Sequence, residues 1–337
     1  MKFKEKIEAG VVVFARTVIP ILPRIVVYRL SRIAGFCIYV FTPKLRNVAA
    51  ANIELVFGNS KLDAEKRRIN IASLQSIVLT TLDVFWFSKN TVERVEKYMS
   101  YDDSFSSILD NQSSIILSAH FGSWEMIGLC CGANGHKLTS IAMPIKNPYV
   151  DRVLNVLRGK VGAIVTARKG GVRTVLKALK KGRGTALLID QNTLPEEGGV
   201  FVPFFGLPVP VANVTGIFQS VVNSKVFIAW CFADEKGCYK AYAKPPFVPS
   251  DDMSSEDVTA HVTRELESVI HEYPDYWLWA YKRWCFYRES DDKEKYPFYA
   301  ESYEEYSEYS KLVKKYRMAR DAVDEANKVL MEFEEND

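Results

Sequence analysis

Two residues in the first half of the chain have the types and the spacing needed for acid–base chemistry. His120 and Glu125 are separated by four residues in the segment 114–128, SIILSAHFGSWEMIG. An imidazole beside a carboxylate can act as a general base, because the carboxylate fixes the tautomer and stabilises the imidazolium that forms. The spacing alone is a weak signal, and a structural role is the ordinary interpretation of a single histidine.

The residues around His120 predict how this pair is presented. Residues 115–118 are apolar and favour a buried strand, and a helix is expected to begin near Gly122 or Ser123, which places Glu125 in its first turn. The N–H groups near Phe121–Ser123 are therefore candidate donors to a developing oxyanion. Ser123 does not lie in a G-x-S-x-G elbow, so a covalent serine mechanism is not expected.

From about residue 100, short apolar segments alternate with segments of helical periodicity, which predicts a largely parallel sheet covered by helices on both faces. The predicted strands are 114–119, 138–143, 162–166, 185–190, 226–233 and 238–243, and the predicted helices are 102–110, 123–133, 148–159, 171–181, 211–223 and 254–273. Ligands bind beyond the carboxyl ends of such strands. His120 and Asp190 are both expected there, which strengthens the assignment of a site.

The first 46 residues are apolar and basic, with nine Lys or Arg against two acids. Arginines 16, 24, 29 and 32 interrupt the apolar segment 7–41, and Pro20 and Pro23 break any single helix. We expect an anchor in the membrane interface with its arginines directed to anionic headgroups. One membrane span or a buried hairpin are the alternatives.

Several further segments have helical or aromatic patterns. Residues 44–57 and 61–88 are predicted as helices, and 300–335 as an amphipathic helix that is either a packing arm or an oligomerisation element. The segment 201–205, FVPFF, is expected to line an acyl groove, contact a membrane or pack in the core. The segment 276–284, YWLWAYKRW, is interpreted as a strand with core aromatics, whose Lys282 and Arg283 could meet headgroups.

Six cysteines show no metal-ligand spacing, and no HExxH motif is present. Buried thiols, a reducing compartment and no metal site are therefore expected. A metallohydrolase finds no support in these patterns.

Four segments together resemble the bacterial lipid A late acyltransferases, the lauroyl/myristoyl transferase family. They are AHFGSWE, LLIDQN, GGVFVPFFGLPVPVANVTG and YWLWAYKRW, and the resemblance covers roughly residues 5–290. It implies an α/β fold like that of the glycerolipid acyltransferases, a mostly parallel sheet flanked by helices. The chain would divide into membrane-associating helices (1–42), an acyltransferase domain (43–295) and a C-terminal amphipathic helical extension (296–337).

The resemblance also implies a set of site residues. The family's HX4D/E pair falls on His120 and Glu125 as the catalytic residues, with Glu125 orienting His120. Its arginine after the Asn-Pro turn falls on Arg158, and its strand-end aspartate on Asp190, followed by Gln191. Together with Arg168, which follows a predicted strand end, these three are the expected substrate-binding residues.

Two of these residues have alternative roles on chemical grounds. Arg158 suits a substrate phosphate, although it could pair with a structural acid such as Asp151. Asp190 could orient Arg158, brace a turn or bind a sugar hydroxyl. For Arg168, a solvated basic loop is the alternative to a phosphate contact.

The implied function is a membrane-associated O-acyltransferase at the cytoplasmic face of the inner membrane. Acyl carrier protein or coenzyme A thioesters would serve as donors, a phosphorylated glycolipid such as a lipid A precursor as acceptor, with no further cofactor, no metal and no nucleic acid. The alternatives are a different acceptor (a phosphatidylinositol mannoside-like glycolipid or a lysophospholipid) or a catalytically silent lipid-binding relative.

Overall fold

Helices occupy almost all of the first hundred residues, and strands begin only at residue 99. The structure, a computed structural model, describes residues 3–111, 113–142, 147–213, 215–216, 218, 224–250 and 252–313. Its helices are α1 (Phe3–Val18), α2 (Arg24–Phe41), α3 (Pro43–Phe57), α4 (Asp63–Trp86), α5 (Thr91–Tyr98), α6 (Asp103–Leu109), α7 (Trp124–Ala133), α8 (Pro148–Lys160), α9 (Arg168–Lys180) and α10 (Ser255–Glu272). A further helix begins at residue 303, and its described part runs to residue 313.

A five-stranded mixed sheet forms the centre of the α/β domain. The strands are β1 (Met99–Tyr101), β2 (Ile115–Ser118), β3 (Thr139–Ile141), β4 (Ile164–Thr166), β5 (Thr185–Leu188), β6 (Gly199–Phe204), β7 (Leu207–Ala212), β8 (Val226–Ala233), β9 (Tyr239–Ala243), β10 (Phe286–Tyr287) and β11 (Glu301–Ser302). The sheet order is β1-β9-β8-β2-β5, and only the β8–β9 hairpin is antiparallel. β2 is buried at all four positions and lies between β5 and β8, so its carboxyl end is flanked by a strand on each side.

The N-terminal segment is two helices with a break between them, as Pro20 and Pro23 predict. α4 is the one helix in the described residues with the length and composition of a membrane span, and 61% of its apolar stretch is buried within the fold. α2 and the segment Pro43–Ser60 have the length and composition of a membrane span only when they are taken together, and the chain bends by 93° between them. The segment 85–87, which ends α4, is buried.

α2 packs closely along α4, and two features hold the contact. A Cβ on Gly35 would lie 2.5 Å from the Cα of Gln75, so only glycine allows this approach. Arg24, expected to reach headgroups, is instead buried at 5% exposure and forms a two-bond ion pair with Asp83. The hydroxyl of Tyr239 also donates to Asp83, and Arg24 Nε donates to the carbonyl oxygen of Gly237 at 2.7 Å.

Proline-rich residues 199–212 form the β6–β7 hairpin, where the sequence suggested a loop followed by a helix from residue 211. Phe204 is fully buried against Trp277 and Trp284, and Val202 is buried as well, so the core interpretation of the 201–205 segment holds for these two residues, whereas Pro203 is exposed. Most of the predicted helix 211–223 lies outside the described residues.

The segment 276–284 is not a strand. It follows a short 3-10 turn, Pro274–Tyr276, and its three tryptophans are fully buried, as their core interpretation expected. Arg283 does not face headgroups but is also fully buried, and burial lowers its pKa to about 10. Its Nη1 donates to Asn192 Oδ1 at 2.8 Å.

The C-terminal extension packs on the β6–β7 hairpin as far as it is described. Tyr303 stacks edge-on against Phe201, and Tyr303 and Ser307 both donate to Glu196. Residues 314–337, and with them most of the predicted amphipathic helix, lie outside the described residues.

Candidate active site

The site begins at the turn between β2 and α7, which has little freedom. Gly122 adopts a φ of +56°, and a Cβ there would lie 2.1 Å from the carbonyl oxygen of Cys231, so glycine is required twice over. The N–H groups of Gly122 and Ser123 donate to the carbonyls of Tyr276 and Cys231, each at 2.9 Å. These bonds fix the turn, and they contradict the expectation that both N–H groups are available to an oxyanion.

Asp190, and not Glu125, orients His120. Asp190 Oδ1 lies 2.9 Å from His120 Nδ1, and Asp190 Oδ2 accepts from the backbone N–H of His120 at 2.9 Å. The indole Nε1–H of Trp277 donates to the same Oδ2 at 2.9 Å. Because β2 and β5 are adjacent and parallel, the residues that follow them meet at one edge of the sheet.

The protonation states follow from these contacts. Burial disfavours the charge on Asp190, but His120 and the three hydrogen bonds outweigh it and lower the pKa of this carboxyl. Burial likewise opposes a charged His120, and the nearby carboxylates of Asp190 and Glu125 overcome it and raise the pKa of the imidazole. An ionised Asp190 only accepts hydrogen bonds, so Nδ1 carries the proton and Nε2 of neutral His120 is free to take one.

Glu125 lies in the first turn of α7, as predicted, but its partner is Arg158. Nε and Nη2 of Arg158 donate to the two oxygens of Glu125 at 3.0 and 2.5 Å. Burial disfavours the charge on Arg158, and these hydrogen bonds outweigh it and raise its pKa. A structural acid such as Asp151 was the expected alternative to a substrate phosphate as the partner of Arg158. The structure shows a bidentate bond to Glu125, the second residue of the HX4E pair, and the charge of Asp151 also contributes to the raised pKa of Arg158.

The remaining expected residues take different positions. Gln191 Nε2 lies 3.5 Å from Nε2 of His120, on the open side of the ring. Trp124 packs edge-on against the same imidazole with ring centres 4.7 Å apart. Arg168 is the first residue of α9, and its side chain lies outside the described part of the structure.

The arrangement brings five predicted residues into one site, since Gln191 lies beside His120, and it adds one that the sequence reasoning missed. His120, Glu125, Arg158 and Asp190 form two bonded pairs on neighbouring elements. Trp277 was assigned to the core and is buried, but its indole also bonds the orienting carboxylate. The side chain of His120 retains 18% exposure, while that of Asp190 retains 3%, so the imidazole faces outward and its carboxylate partner faces inward.

Comparisons with known proteins identify the family of the chain. The family model described as bacterial lipid A biosynthesis acyltransferase matches residues 4–285. The chain is 22% identical to lipid A biosynthesis acyltransferase 2 of Shigella flexneri over 75% of this chain and 82% of that protein. It is 25% identical to the lipid A biosynthesis acyltransferase of Haemophilus influenzae over 57% of this chain and 60% of that protein.

A third relative, the lipid A biosynthesis myristoyltransferase of Escherichia coli, is 23% identical over 51% of this chain and 54% of that protein. Among solved structures, the 1-acyl-sn-glycerophosphate acyltransferase PlsC of Thermotoga maritima aligns with a TM-score of 0.37 and 13% identity, over 75% of this chain and 99% of that chain. The family match spans most of the sequence and includes every residue of the site described above. The chain is therefore an acyltransferase that belongs to the bacterial lipid A biosynthesis acyltransferase family.

Proposed function

We propose that this protein transfers a fatty acyl chain from an acyl thioester to a hydroxyl group of a phosphorylated glycolipid, with a lipid A precursor as the acceptor. The observation that carries the proposal is the His120–Asp190 pair, in which Nδ1 is held and Nε2, 3.5 Å from the amide nitrogen of Gln191, lies on the exposed side of the ring. A base of this kind is what acyl transfer to a hydroxyl requires. The donor is an acyl carrier protein or coenzyme A thioester.

The transfer needs one base and no covalent enzyme intermediate. Nε2 of His120 takes the proton of the acceptor hydroxyl while its oxygen attacks the thioester carbonyl carbon. The tetrahedral intermediate collapses as the C–S bond breaks, and the imidazolium returns its proton to the leaving thiolate. The ester and a free thiol are formed, and His120 is neutral again.

The supporting residues act by charge and position. Asp190 holds the imidazole and stabilises its charged form, and Glu125 contributes a second, more distant negative charge. The bonds to Glu125 use Nε and Nη2 of Arg158, so its Nη1 donors can bind a substrate phosphate. Since Gly122 and Ser123 use their N–H groups within the turn, the next amides of α7, those of Trp124 and Glu125, are the candidate oxyanion donors.

The N-terminal helices provide a surface for a bilayer. They expose apolar side chains at Val11, Val13, Phe14, Ile21, Ile33, Phe36, Val40 and Phe41. Arg16, Arg29 and Lys44 are exposed on the same helices or directly after them. Apolar side chains flanked by basic ones favour the interface of an anionic membrane, and we place this face on the cytoplasmic side of the inner membrane.

Transfer of a labelled acyl group to a phosphorylated disaccharide lipid in detergent tests the chemistry. His120→Ala should lower kcat/KM by about 10²–10⁴-fold, because general base catalysis contributes that much. His271→Ala is the matched control, since His271 is exposed on α10, and it should keep full activity. Full activity of His120→Ala would refute the mechanism, and acylation of lysophospholipids alone would refute the acceptor.

Flotation with anionic vesicles tests the membrane face. Phe14→Glu combined with Phe36→Glu should abolish vesicle binding while acyl transfer to a detergent-solubilised acceptor persists. Tyr309→Glu, a similarly exposed aromatic in the C-terminal extension, is the control. Equal flotation of both variants would show that the bilayer contacts another surface.

A further inference from the structure

Trp277 is held in place by the same turn that carries His120. The N–H of Leu278 donates to the carbonyl oxygen of His120 at 3.0 Å, and the N–H of Gly122 donates to the carbonyl oxygen of Tyr276 at 2.9 Å. The residues on both sides of Trp277 are therefore bonded to the residues that follow β2. These bonds fix the backbone of Trp277 relative to the imidazole, although the two residues are distant in the chain.

The indole of Trp277 is constrained as well as its backbone. It is fully buried and packs edge-on against the rings of Phe204 and Trp279, whose centres lie 5.6 and 4.7 Å away. Its Nε1–H donates to Asp190 Oδ2 at 2.9 Å. Because the interior is closely packed, the indole cannot turn away from the carboxylate without displacing these neighbours.

The two oxygens of Asp190 have different partners. Oδ2 accepts from the indole of Trp277 and from the backbone N–H of His120, while Oδ1 faces Nδ1 of His120. A carboxylate that accepts several hydrogen bonds binds a proton less strongly, because the donors stabilise its charged form. Burial opposes the charge of Asp190, and His120 and Trp277 are among the partners that outweigh it and lower the pKa of this carboxyl. The indole therefore takes up part of the charge that would otherwise act on the imidazole.

We propose that Trp277 is a positioning residue of the reaction, which acts on His120 through Asp190. Its indole holds Oδ2, presents Oδ1 to the imidazole and limits how strongly the carboxylate stabilises the imidazolium. Without this donor, Asp190 would keep His120 protonated to higher pH. Trp277 thus helps to maintain the neutral imidazole, the form that can take a proton from the acceptor hydroxyl. The inference rests on the function proposed above, in which His120 is the base.

The charged groups around this pair are not altered when the indole is replaced. The imidazole faces the carboxylates of Asp190 and Glu125, and Arg158 pairs with Glu125. Arg283 and Tyr281 interact electrostatically with Asp190. Since all of these side chains stay in place, a change in the titration of the imidazole after removal of the indole N–H can be assigned to that donor.

The titration of His120 tests the proposal without any catalysis. Histidine labelled at Cε1 is followed by NMR in the whole protein, and the signal that is missing from His120→Ala identifies this imidazole. Trp277→Phe keeps an aromatic ring and loses the N–H, and we expect the midpoint of His120 to move to higher pH. Trp279→Phe is the matched control, because Trp279 is also fully buried but donates to the carbonyl oxygen of Pro274 at 2.7 Å. The control should leave the midpoint in place.

The pH dependence of acyl transfer is the second measurement. Below the midpoint, kcat/KM of Trp277→Phe should fall about tenfold for each pH unit by which the midpoint rises, because the neutral fraction of His120 falls in that proportion. Above the midpoint, the variant should regain the rate of the unaltered protein. A general loss of structure would lower the rate at every pH, so this recovery separates the proposed role from a purely structural one.

Three results would overturn the proposal: an unchanged or lowered midpoint in Trp277→Phe, an equal rise in Trp279→Phe, or a loss of rate that is the same at every pH. If circular dichroism shows that Trp277→Phe does not fold, benzothienylalanine at position 277 provides the same test, since it has the shape of tryptophan with sulfur in place of the N–H. Full activity of His120→Ala would refute the function proposed above, whereas the titration would still decide whether Trp277 acts on this imidazole.

Discussion

Two buried carboxylates, Asp83 and Asp190, have nearly the same surroundings and different consequences. Asp83 is bound by Arg24 and by the hydroxyl of Tyr239, and Asp190 by His120 and the indole of Trp277. Each carboxylate is therefore satisfied by one basic side chain and one aromatic donor. The side chains of the two carboxylates are almost equally buried, at 0% and 3% exposure.

The difference lies in the basic partner. The side chain of Arg24 is 3% exposed. Asp83, which lies on α4, bonds both Arg24 of α2 and Tyr239 of β9, so it links the three elements. Burial opposes the charge on Arg24, but Asp83 outweighs it and raises the pKa of the guanidinium, which keeps its proton permanently. The side chain of His120 is 18% exposed and can gain and lose a proton. The same carboxylate geometry therefore braces α2, α4 and β9 around Arg24 in one place and, in the mechanism proposed above, supports His120 as the base in the other.

Replacing Asp190 should give the largest effect of these variants, and the effect should be on the rate of acyl transfer. In Asp190→Asn the amide no longer stabilises the imidazolium, and it can hold the wrong tautomer of His120. We expect kcat to fall by about 10²–10⁴-fold, as for an orienting carboxylate in general base catalysis. Initial rates of acyl transfer at saturating acceptor measure the change.

The Asp190 variant needs a check on folding, because its carboxylate is buried. Circular dichroism should match the unaltered protein, and the midpoint of thermal unfolding should change far less than in the Asp83 variant. A drop in rate that merely follows the fraction of unfolded protein would contradict the assigned role.

Replacing Asp83 should have the opposite result, a large loss of stability with little change in the rate of acyl transfer. Asp83→Asn leaves the charge of Arg24 buried and without its carboxylate, which costs about 3–5 kcal/mol of unfolding free energy. The protein that remains folded should transfer acyl groups at nearly the normal rate, because Asp83 is not among the residues around His120. Denaturant unfolding measures the loss of stability, and the rate per folded molecule measures the effect on acyl transfer. A large rate defect in the folded protein would show that Asp83 acts in the reaction and is not only a structural residue.

Sequence spacing paired His120 with Glu125, whereas the structure pairs His120 with a different carboxylate, that of Asp190. Glu125 is local to His120, so spacing alone suggested that they interact. Asp190 is 70 residues away and reaches His120 only because β5 pairs with β2, a strand order that periodicity does not reveal. The expectation that both strand ends contribute to the site was the part that sequence could support.

The misassigned arginines have a related explanation. Arg24 and Arg283 were expected to reach lipid headgroups, because an arginine in an apolar segment more often extends to water than becomes buried. Their partners, Asp83 and Asn192, are 59 and 91 residues distant. The β6–β7 hairpin was missed because Pro203, Pro208 and Pro210 argue against strands, although proline is tolerated where a strand is at an edge.

Removing the hydroxyl of Tyr239, which donates to Asp83, should lower the free energy of unfolding by a smaller amount. Tyr239→Phe loses the hydrogen bond to Asp83 but keeps the ring and the ion pair. A hydrogen bond to a charged group contributes about 1.5–3 kcal/mol, so this variant should be destabilised by less than Asp83→Asn. A loss as large as that of Asp83→Asn, measured in the same denaturant titration, would indicate that Arg24 and Asp83 do not hold together without the hydroxyl.

The smallest effect should be a shift in pH dependence at the base. In the proposed mechanism His120 acts in its neutral form, so the rate should rise with pH through the pKa of His120, and the raised pKa places this rise above the ordinary value for histidine. Asp190 is the larger source of the raised pKa and Glu125 the smaller one. Glu125→Gln should therefore move the rise of kcat/KM to lower pH, whereas Glu93→Gln, an exposed acid on α5, should leave it in place. If protonation of His120 controls the pH dependence of the rate, removing the charge of Glu125 can only move the rise to lower pH. A shift to higher pH in Glu125→Gln would therefore mean that another group controls the pH dependence.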